Sequence, residues 1–184
     1  NLTGHNNKHR NINIYLGSSQ TDSTAYIAIF AREMKSTQHE FSNINIVVPG
    51  VLTNPTRPLI DVGHNSTPFN DTQTTIGGNL IFNNINIDAP LWDTTARNMH
   101  VMSIRNRGST VNWGVVVNGF TSNCKNTSGS LDYACVAIGT RSGTSPKFVH
   151  LSNITYGDRK PLYLSSNDRN VKVRGLRASG VATI

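Results

Sequence analysis

The sequence predicts an all-β solenoid, and three observations carry that prediction. A two-part unit recurs five times along the 184 residues. Its apolar segments alternate inward and outward positions, the pattern of strands that bury one face. A short corner that contains Asn or Gly recurs in every copy. Repeats of a few tens of residues indicate stacked units that bury one continuous core.

The first half of the unit is a short strand in which two apolar residues flank one outward residue. Its copies are Ile27/Ile29, Ile60/Val62, Met102/Ile104, Val136/Ile138 and Leu162/Leu164. The second half holds a second and a third strand, joined by two residues. Its copies are Phe41-Ser42-Asn43-Ile44, Phe82-Asn83-Asn84-Ile85, Val117-Asn118-Gly119-Phe120, Leu151-Ser152-Asn153-Ile154 and Val173-Arg174-Gly175-Leu176, after a partial copy Arg10-Asn11-Ile12.

The corner between the second and third strands always ends in Asn or Gly. These residues stand at positions 11, 43, 84, 119, 153 and 175. Such a corner needs a left-handed backbone, which Gly adopts freely and Asn tolerates. A recurring Asn can also stack its amide on the corner of the next unit. The spacings of 32, 41, 35, 34 and 22 residues indicate that the other connections carry loop insertions.

This pattern resembles the right-handed parallel β-helix of the pectin-lyase-like superfamily, which includes phage tailspikes. The resemblance covers residues 9–184 at the level of fold, and no family catalytic motif accompanies it. It implies about five rungs with three strands per rung, in a single β-helix domain over residues 1–184. A β-sandwich or jelly roll also has short alternating strands, but the registered repeat argues against it.

Charge and composition narrow the class of partner. The net charge is +7 and the isoelectric point about 9.8, with basic residues dispersed along the chain. A basic surface favours anionic partners. The sequence has no basic run, zinc pattern or recognition helix, so we expect no nucleic acid partner. It also has no apolar run of about 18 residues, so we expect no membrane insertion.

The chain ends and the cysteines add two expectations. Because the sequence begins at Asn1 and residues 178–184 lack a polar cap, we expect a piece of a longer chain. Cys124 and Cys135 flank a short loop and could form a bridge or remain two thiols. Their spacing does not match a metal site, so we expect no metal and no cofactor.

The candidate site is the outward face of the first strands. Alternation predicts one outward column of Ala28, Asp61, Ser103, Ala137 and Tyr163, and a second of Phe30, Gly63, Arg105, Gly139 and Ser165. Because adjacent strands lie about 4.8 Å apart, Asp61 and Arg105 should be diagonal neighbours on one exposed surface. In enzymes of the resembling superfamily, the sugar chain binds along this sheet. The longest predicted loops, residues 64–77 and 89–98, flank it.

Two chemistries are possible at this surface. A glycosidase needs two carboxylates, about 5 Å apart for retention or roughly 6.5–9.5 Å apart for inversion. Asp61 with Asp88 or Asp93 could supply them. A lyase needs a base beside a neutralised uronate, for which His64 or Arg105 could serve. The candidate catalytic residues are therefore Asp61, Asp88, Asp93 and His64. The candidate substrate-binding residues are Arg105, Trp92, Arg97 and Tyr163, in which Trp92 and Tyr163 could stack on a sugar ring.

Each of these residues also has an ordinary structural interpretation. An Asp on a solenoid surface is commonly a solvated or turn residue, and Asp88-Ala89-Pro90 has the pattern of a turn opening. The carboxylates are scattered along the sequence, without a paired motif. Function depends on a site geometry that the sequence alone does not reveal.

Three functions therefore stay open. The first is a phage tailspike or capsule depolymerase, in the virion tail or extracellular. It would be a homotrimer that binds bacterial capsular or O-antigen polysaccharide. If it is an enzyme, it would also cleave that polysaccharide as a glycoside hydrolase or polysaccharide lyase. The second is a non-catalytic structural or adhesin β-helix that binds carbohydrate. The third is a secreted pectin-type lyase or hydrolase, which the Asn-x-Ser/Thr sequons at positions 1, 65, 70, 126 and 153 favour.

Overall fold

Every element in the described part of the chain is a β-strand. The computed structural model describes residues 8–16, 29–31, 38–49, 52–53, 59–63, 77–89, 92–93, 101–105, 112–124, 134–138, 148–157, 160–164 and 171–178. The strands are β1 Lys8–Tyr15, β2 Ile29–Ala31, β3 His39–Val47, β4 Leu52–Thr53, β5 Ile60–Gly63, β6 Gly77–Asp88, β7 Trp92–Asp93, β8 Met102–Arg105, β9 Asn112–Ser122, β10 Ala134–Ile138, β11 Phe148–Tyr156, β12 Lys160–Leu164 and β13 Val171–Ala178. Among these residues we find no helix suited to crossing a membrane.

The strands form parallel sheets. The six-stranded sheet has the order β1-β3-β6-β9-β11-β13, the five-stranded sheet β12-β10-β8-β5-β2, and β4 pairs with β7. All ten pairings are parallel. Strands of the two larger sheets alternate along the chain, so each repeat supplies one strand to each sheet. This arrangement confirms the all-β prediction and is consistent with a β-solenoid.

The predicted corners are confirmed at all six positions. The backbone angle φ is 57° at Asn11, 56° at Asn43 and 55° at both Asn84 and Asn153. At Gly119 and Gly175 it is 74° and 66°. Each corner lies within a strand of the six-stranded sheet, so the second and third segments of a repeat form one continuous strand that passes through the corner.

The Asn side chains form a ladder on the outside of the corners. Asn43 Nδ2 donates to Asn11 Oδ1 at 3.0 Å, and Asn84 Nδ2 donates to Asn43 Oδ1 at 3.2 Å. Gly119 interrupts the ladder, and Asn153 Nδ2 donates instead to Oδ1 of Asn118 at 3.0 Å. The amide ladder expected from the sequence is therefore continuous only over the first three corners.

The core consists of inward-facing columns that run across the six-stranded sheet. One column contains Ile12, Ile44, Ile85, Phe120, Ile154 and Leu176. Its four middle members are at most 1% exposed. Burying a side chain of this size contributes roughly 1.5–3 kcal/mol. In the neighbouring column the rings of Phe41 and Phe82 stack at 5.2 Å, and His9 stacks on Phe41 at 4.8 Å.

The first repeat differs from its predicted register. Ile29 pairs with Ile60, Phe30 with Asp61 and Ala31 with Val62. Phe30 rather than Ala28 therefore belongs to the column of Asp61, and the prediction was wrong by two residues. A two-residue shift keeps the same side chains inward, so alternation alone does not distinguish the two registers.

Cys124 lies at the end of an inward column. It is 1% exposed, and its backbone N–H donates to Ser122 Oγ at 3.3 Å. Cys135 lies in β10, and its side chain is outside the described part of the structure. The bridge and the two thiols both stay predictions.

Candidate functional site

The five-stranded sheet carries three of the predicted site residues in the expected register. Asp61 pairs with Ser103, and Gly63 pairs with Arg105, so Arg105 is the diagonal neighbour of Asp61 as predicted. Tyr163 lies in the same column as Asp61, through Ala137 and Ser103. Three strand spacings separate Asp61 from Tyr163, which corresponds to about 14 Å.

The outward face of this sheet is covered at Ser103. That residue is 6% exposed, while its neighbours Met102 and Ile104 are fully buried on the opposite face. Both faces of β8 are therefore covered at this point, since successive residues of a strand point to opposite sides. The expectation of one exposed column does not hold at the strand next to Asp61.

Asp88 has a structural partner at the end of β6. Its exposed carboxylate accepts a hydrogen bond from Asn123 Nδ2 at 2.6 Å. Asn123 Oδ1 in turn accepts the backbone N–H of Ala89 at 2.7 Å. The amide of Asn123 thus joins the ends of two neighbouring repeats. This contact fits the turn-opening interpretation of Asp88.

The remaining predicted residues lie elsewhere. Trp92 and Asp93 form β7, where they pair with Leu52 and Thr53 of β4. His64 and Arg97 lie outside the described residues. The three candidate carboxylates Asp61, Asp88 and Asp93 therefore belong to three different sheets. Among the described strands, the in-register neighbours of Asp61 are Phe30 and Ser103, and neither is a carboxylate.

One polar cluster that the sequence did not reveal lies on the outward face of β1 and β3. Arg10 Nη2 lies 3.2 Å from both Oε1 and Oε2 of Glu40. The Ser42 hydroxyl donates to Glu40 Oε1 at 2.6 Å. The hydrogen bond from Ser42 and the contact with Arg10 lower the pKa of Glu40, and partial desolvation acts in the opposite direction. The only signal in the sequence is the alternate spacing of Glu40 and Ser42.

A second unpredicted feature lies inside the sheet. His39 occupies an inward position in register with Leu80, and it is fully buried. Neither ring nitrogen of His39 has a hydrogen-bond partner, nor does Nε2 of His9. Burial lowers the pKa of His39, and the neighbouring His9 lowers it further. Both causes disfavour the charged form of the His39 imidazole in the folded protein.

The outward face of β13 is basic. Lys172, Arg174 and Arg177 are exposed there, and none of them takes part in an ion pair within the described residues. The acidic residues of the described part of the chain belong to strands β3, β5, β6 and β7, and they are Glu40, Asp61, Asp88 and Asp93. The positive charge of this end is thus uncompensated by the described strands.

The residues that the structure describes contain no group of three or more His, Cys, Asp or Glu that could hold a metal ion. No known protein family, curated protein or solved structure matches this chain. The columns of parallel strands and their side chains are therefore the basis on which a function can be argued.

Proposed function

We propose that this protein is a right-handed parallel β-helix of about five rungs, with three strand segments per rung, two of which are continuous through the corner. We further propose that it acts as a tailspike-like receptor-binding protein for bacterial capsular or O-antigen polysaccharide, as a homotrimer of the virion tail. The single observation that carries this proposal is the in-register stacking of outward polar columns across the six-stranded sheet. Such columns suit a long, repetitive ligand.

Two outward columns flank the corners. One contains Asn83, Asn118 and Ser152, after the buried Ser42 at its start, and the other contains Asn45, Asn86, Thr121 and Thr155. Amide and hydroxyl groups both donate and accept hydrogen bonds, as sugar hydroxyls do. They recur about every 4.8 Å along the stack, so one extended sugar chain could contact several of them. The net charge of +7 favours an acidic polysaccharide.

Recognition has more support here than cleavage. A glycosidase needs two carboxylates that face one sugar bond. The described strands place Asp61, Asp88 and Asp93 in separate sheets, and the carboxylate of Asp88 is bonded to Asn123. A non-catalytic carbohydrate-binding or adhesin β-helix is therefore the second candidate function. For this second function, any cleavage would require residues other than Asp61, Asp88 and Asp93.

Incubation with acidic bacterial capsular polysaccharides, followed by size-exclusion chromatography of the sugar, tests the proposal. Polysaccharide of unchanged length that co-elutes with the protein supports recognition alone, and shortened polysaccharide supports a depolymerase. If no polysaccharide in a broad panel binds or shortens, the proposal is wrong.

If the polysaccharide is shortened, the double variant Asp61→Asn/Asp93→Asn tests whether these two carboxylates catalyse the cleavage. Loss of cleavage with retained binding would support catalysis at these carboxylates. The matched control is Asp88→Asn, since the described contacts of Asp88 are structural. Unchanged cleavage in the double variant would contradict the assignment of Asp61 and Asp93.

A further inference from the structure

The pairing of β1 with β3 carries histidines at two inward positions. His39 shares its column with aliphatic residues of the later strands, which are Leu80, Val115, Val149 and Val171. His9 shares the neighbouring column with Phe41, Phe82, Val117, Leu151 and Val173. Because His9 pairs with Phe41, two residues after His39, the two histidines are diagonal neighbours on one face. In these two columns, no other member is titratable.

Three buried ring nitrogens of the two histidines have no hydrogen-bond partner. They are Nδ1 and Nε2 of His39 and Nε2 of His9. His39 is fully buried, and the ring of His9 stacks on Phe41 at 4.8 Å. A buried polar group without a partner costs free energy, and a buried charge without a partner costs much more. A proton taken up by this pair therefore favours a conformation in which the rings reach water.

Among the described residues, no acidic group faces His39 to neutralise such a proton. The charged side chains of the two strands, Lys8, Arg10 and Glu40, lie on the opposite, outward face. The neighbouring residue of β6 is aliphatic. The buried inward positions of β5, β8 and β10 are apolar, and they are Ile60, Val62, Met102, Ile104 and Val136. His9 itself disfavours the charged form of His39.

The outward side of the same pairing responds to a different range of pH. Arg10 Nη2 lies 3.2 Å from both carboxylate oxygens of Glu40, and the Ser42 hydroxyl donates to Glu40 Oε1 at 2.6 Å. The contacts with Ser42 and Arg10 lower the pKa of Glu40 below its ordinary value of 4.5. The carboxylate is thus still charged at about pH 6.5, where an imidazole in water takes up a proton. Near this pH the ion pair opposes strand separation to a constant extent.

We propose that His9 and His39 form an acid-sensitive switch, which opens the pairing of β1 with β3 while the later strands of the sheet stay paired. Separation of β1 from β3 brings both rings into water and costs the contacts of one strand pairing, whereas unfolding costs those of all five. The open form binds a proton that the closed form disfavours, so opening becomes more favourable as pH falls below about 6.5. This inference goes beyond polysaccharide recognition and does not depend on it.

Hydrogen exchange of the whole chain, resolved by residue with NMR, tests the switch. We expect the protection of the β1 amides, corrected for the intrinsic exchange rate, to fall about tenfold between about pH 7.5 and 5.5, as uptake of one proton predicts. The opening should depend weakly on urea, because it exposes little surface, whereas amides of β9 and β11 should show the steep dependence of global unfolding. Unchanged protection in β1, or a urea dependence in β1 as steep as that in β11, would overturn the proposal.

Two variants separate the inward histidines from the outward ion pair. The double variant His9→Phe/His39→Leu continues the aromatic and aliphatic columns, and it should abolish the dependence of β1 protection on pH. The control Glu40→Gln removes the ion pair with Arg10. It should lower β1 protection by the same factor at both pH values and keep the dependence on pH. A dependence that persists in the double variant, or disappears in Glu40→Gln, would contradict the assignment to the histidines.

Discussion

The two halves of the six-stranded sheet have the same backbone conformation at their corners but carry different side chains. In β1, β3 and β6 every corner is Asn, and His9, Phe41 and Phe82 stack their rings inside. In β9, β11 and β13 two of the three corners are Gly, and the same inward column is aliphatic. The positive φ is kept in both halves. The corner therefore requires a left-handed backbone, and the ladder is an additional stabilisation.

The comparison also separates two sources of stability. A left-handed L-residue costs roughly 1–2 kcal/mol relative to Gly, which Gly119 and Gly175 avoid. An Asn corner bears that cost but gains a ladder hydrogen bond of about 1 kcal/mol. The two solutions are thus close in energy. Substitutions that affect one half and leave the other half as a control can measure the difference.

The largest effect is expected from Phe82→Ala. Phe82 is fully buried, and its ring stacks on Phe41 where the aromatic half meets the aliphatic half. Truncating a buried Phe costs about 3–5 kcal/mol through lost transfer energy and a cavity. Val117→Ala, in the same column of the next strand, removes fewer atoms and should cost about 2 kcal/mol. Urea unfolding measures both losses. Equal losses would contradict the larger contribution expected from the buried ring of Phe82.

The corner exchange should have a smaller effect. Asn84→Val places a β-branched residue at a φ of 55° and removes the bond to Asn43. We expect a loss of about 2 kcal/mol, mostly from backbone strain. Asn84→Gly keeps the left-handed backbone and removes only the ladder bond, so its loss should be about 1 kcal/mol or less. Thermal unfolding compares the two variants.

The reciprocal change lies at Gly119. A Cβ there would approach Asn84 Oδ1 to 2.8 Å, which a shift of that flexible amide can relieve. Gly119→Ala should therefore lose about 1 kcal/mol from its positive φ. Gly119→Asn should lose less, because it can extend the ladder. A larger loss for Asn than for Ala would mean that the interruption at Gly119 is sterically required.

The sequence predicted the corners because a left-handed backbone restricts the residue type. All six positions carried Asn or Gly, so the register of the six-stranded sheet followed directly. The first strand of the five-stranded sheet has no such marker. There the alternating run around Ile27 and Ile29 fits two registers that bury the same face, and the predicted register is wrong by two residues.

The site could be predicted only in part, for a related reason. The diagonal relation of Asp61 and Arg105 follows from strand register, and it was confirmed. The contact of Asp88 with Asn123 joins residues 35 positions apart through side-chain geometry. Burial of Ser103 on an outward face also depends on what packs over it. Alternation specifies which face of the sheet a side chain lies on, and it does not specify which residues pack against that side chain.

The smallest expected effect is a dependence of folding stability on pH that originates in the first half of the sheet. Burial lowers the pKa of His39 below its ordinary value of 6.5. As pH falls below 6.5, the unfolded chain takes up a proton that the folded chain still excludes, so stability decreases. The decrease continues until pH reaches the lowered pKa of His39. Urea unfolding at a series of pH values from about 7.5 to 5 would record it.

Two variants assign the slope to its source. His39→Leu should remove the decrease near pH 6, and it should be at least as stable as the parent at neutral pH because two unpaired buried nitrogens are lost. Among the described residues, the titratable neighbours of His39 are His9 inside the sheet and Glu40 on the opposite face of β3. Since the pKa of Glu40 is lowered from an ordinary value of 4.5, Glu40→Gln should leave the slope near pH 6 unchanged and act only in more acidic solution. A slope that persists in His39→Leu would place the acid-sensitive group elsewhere than His39.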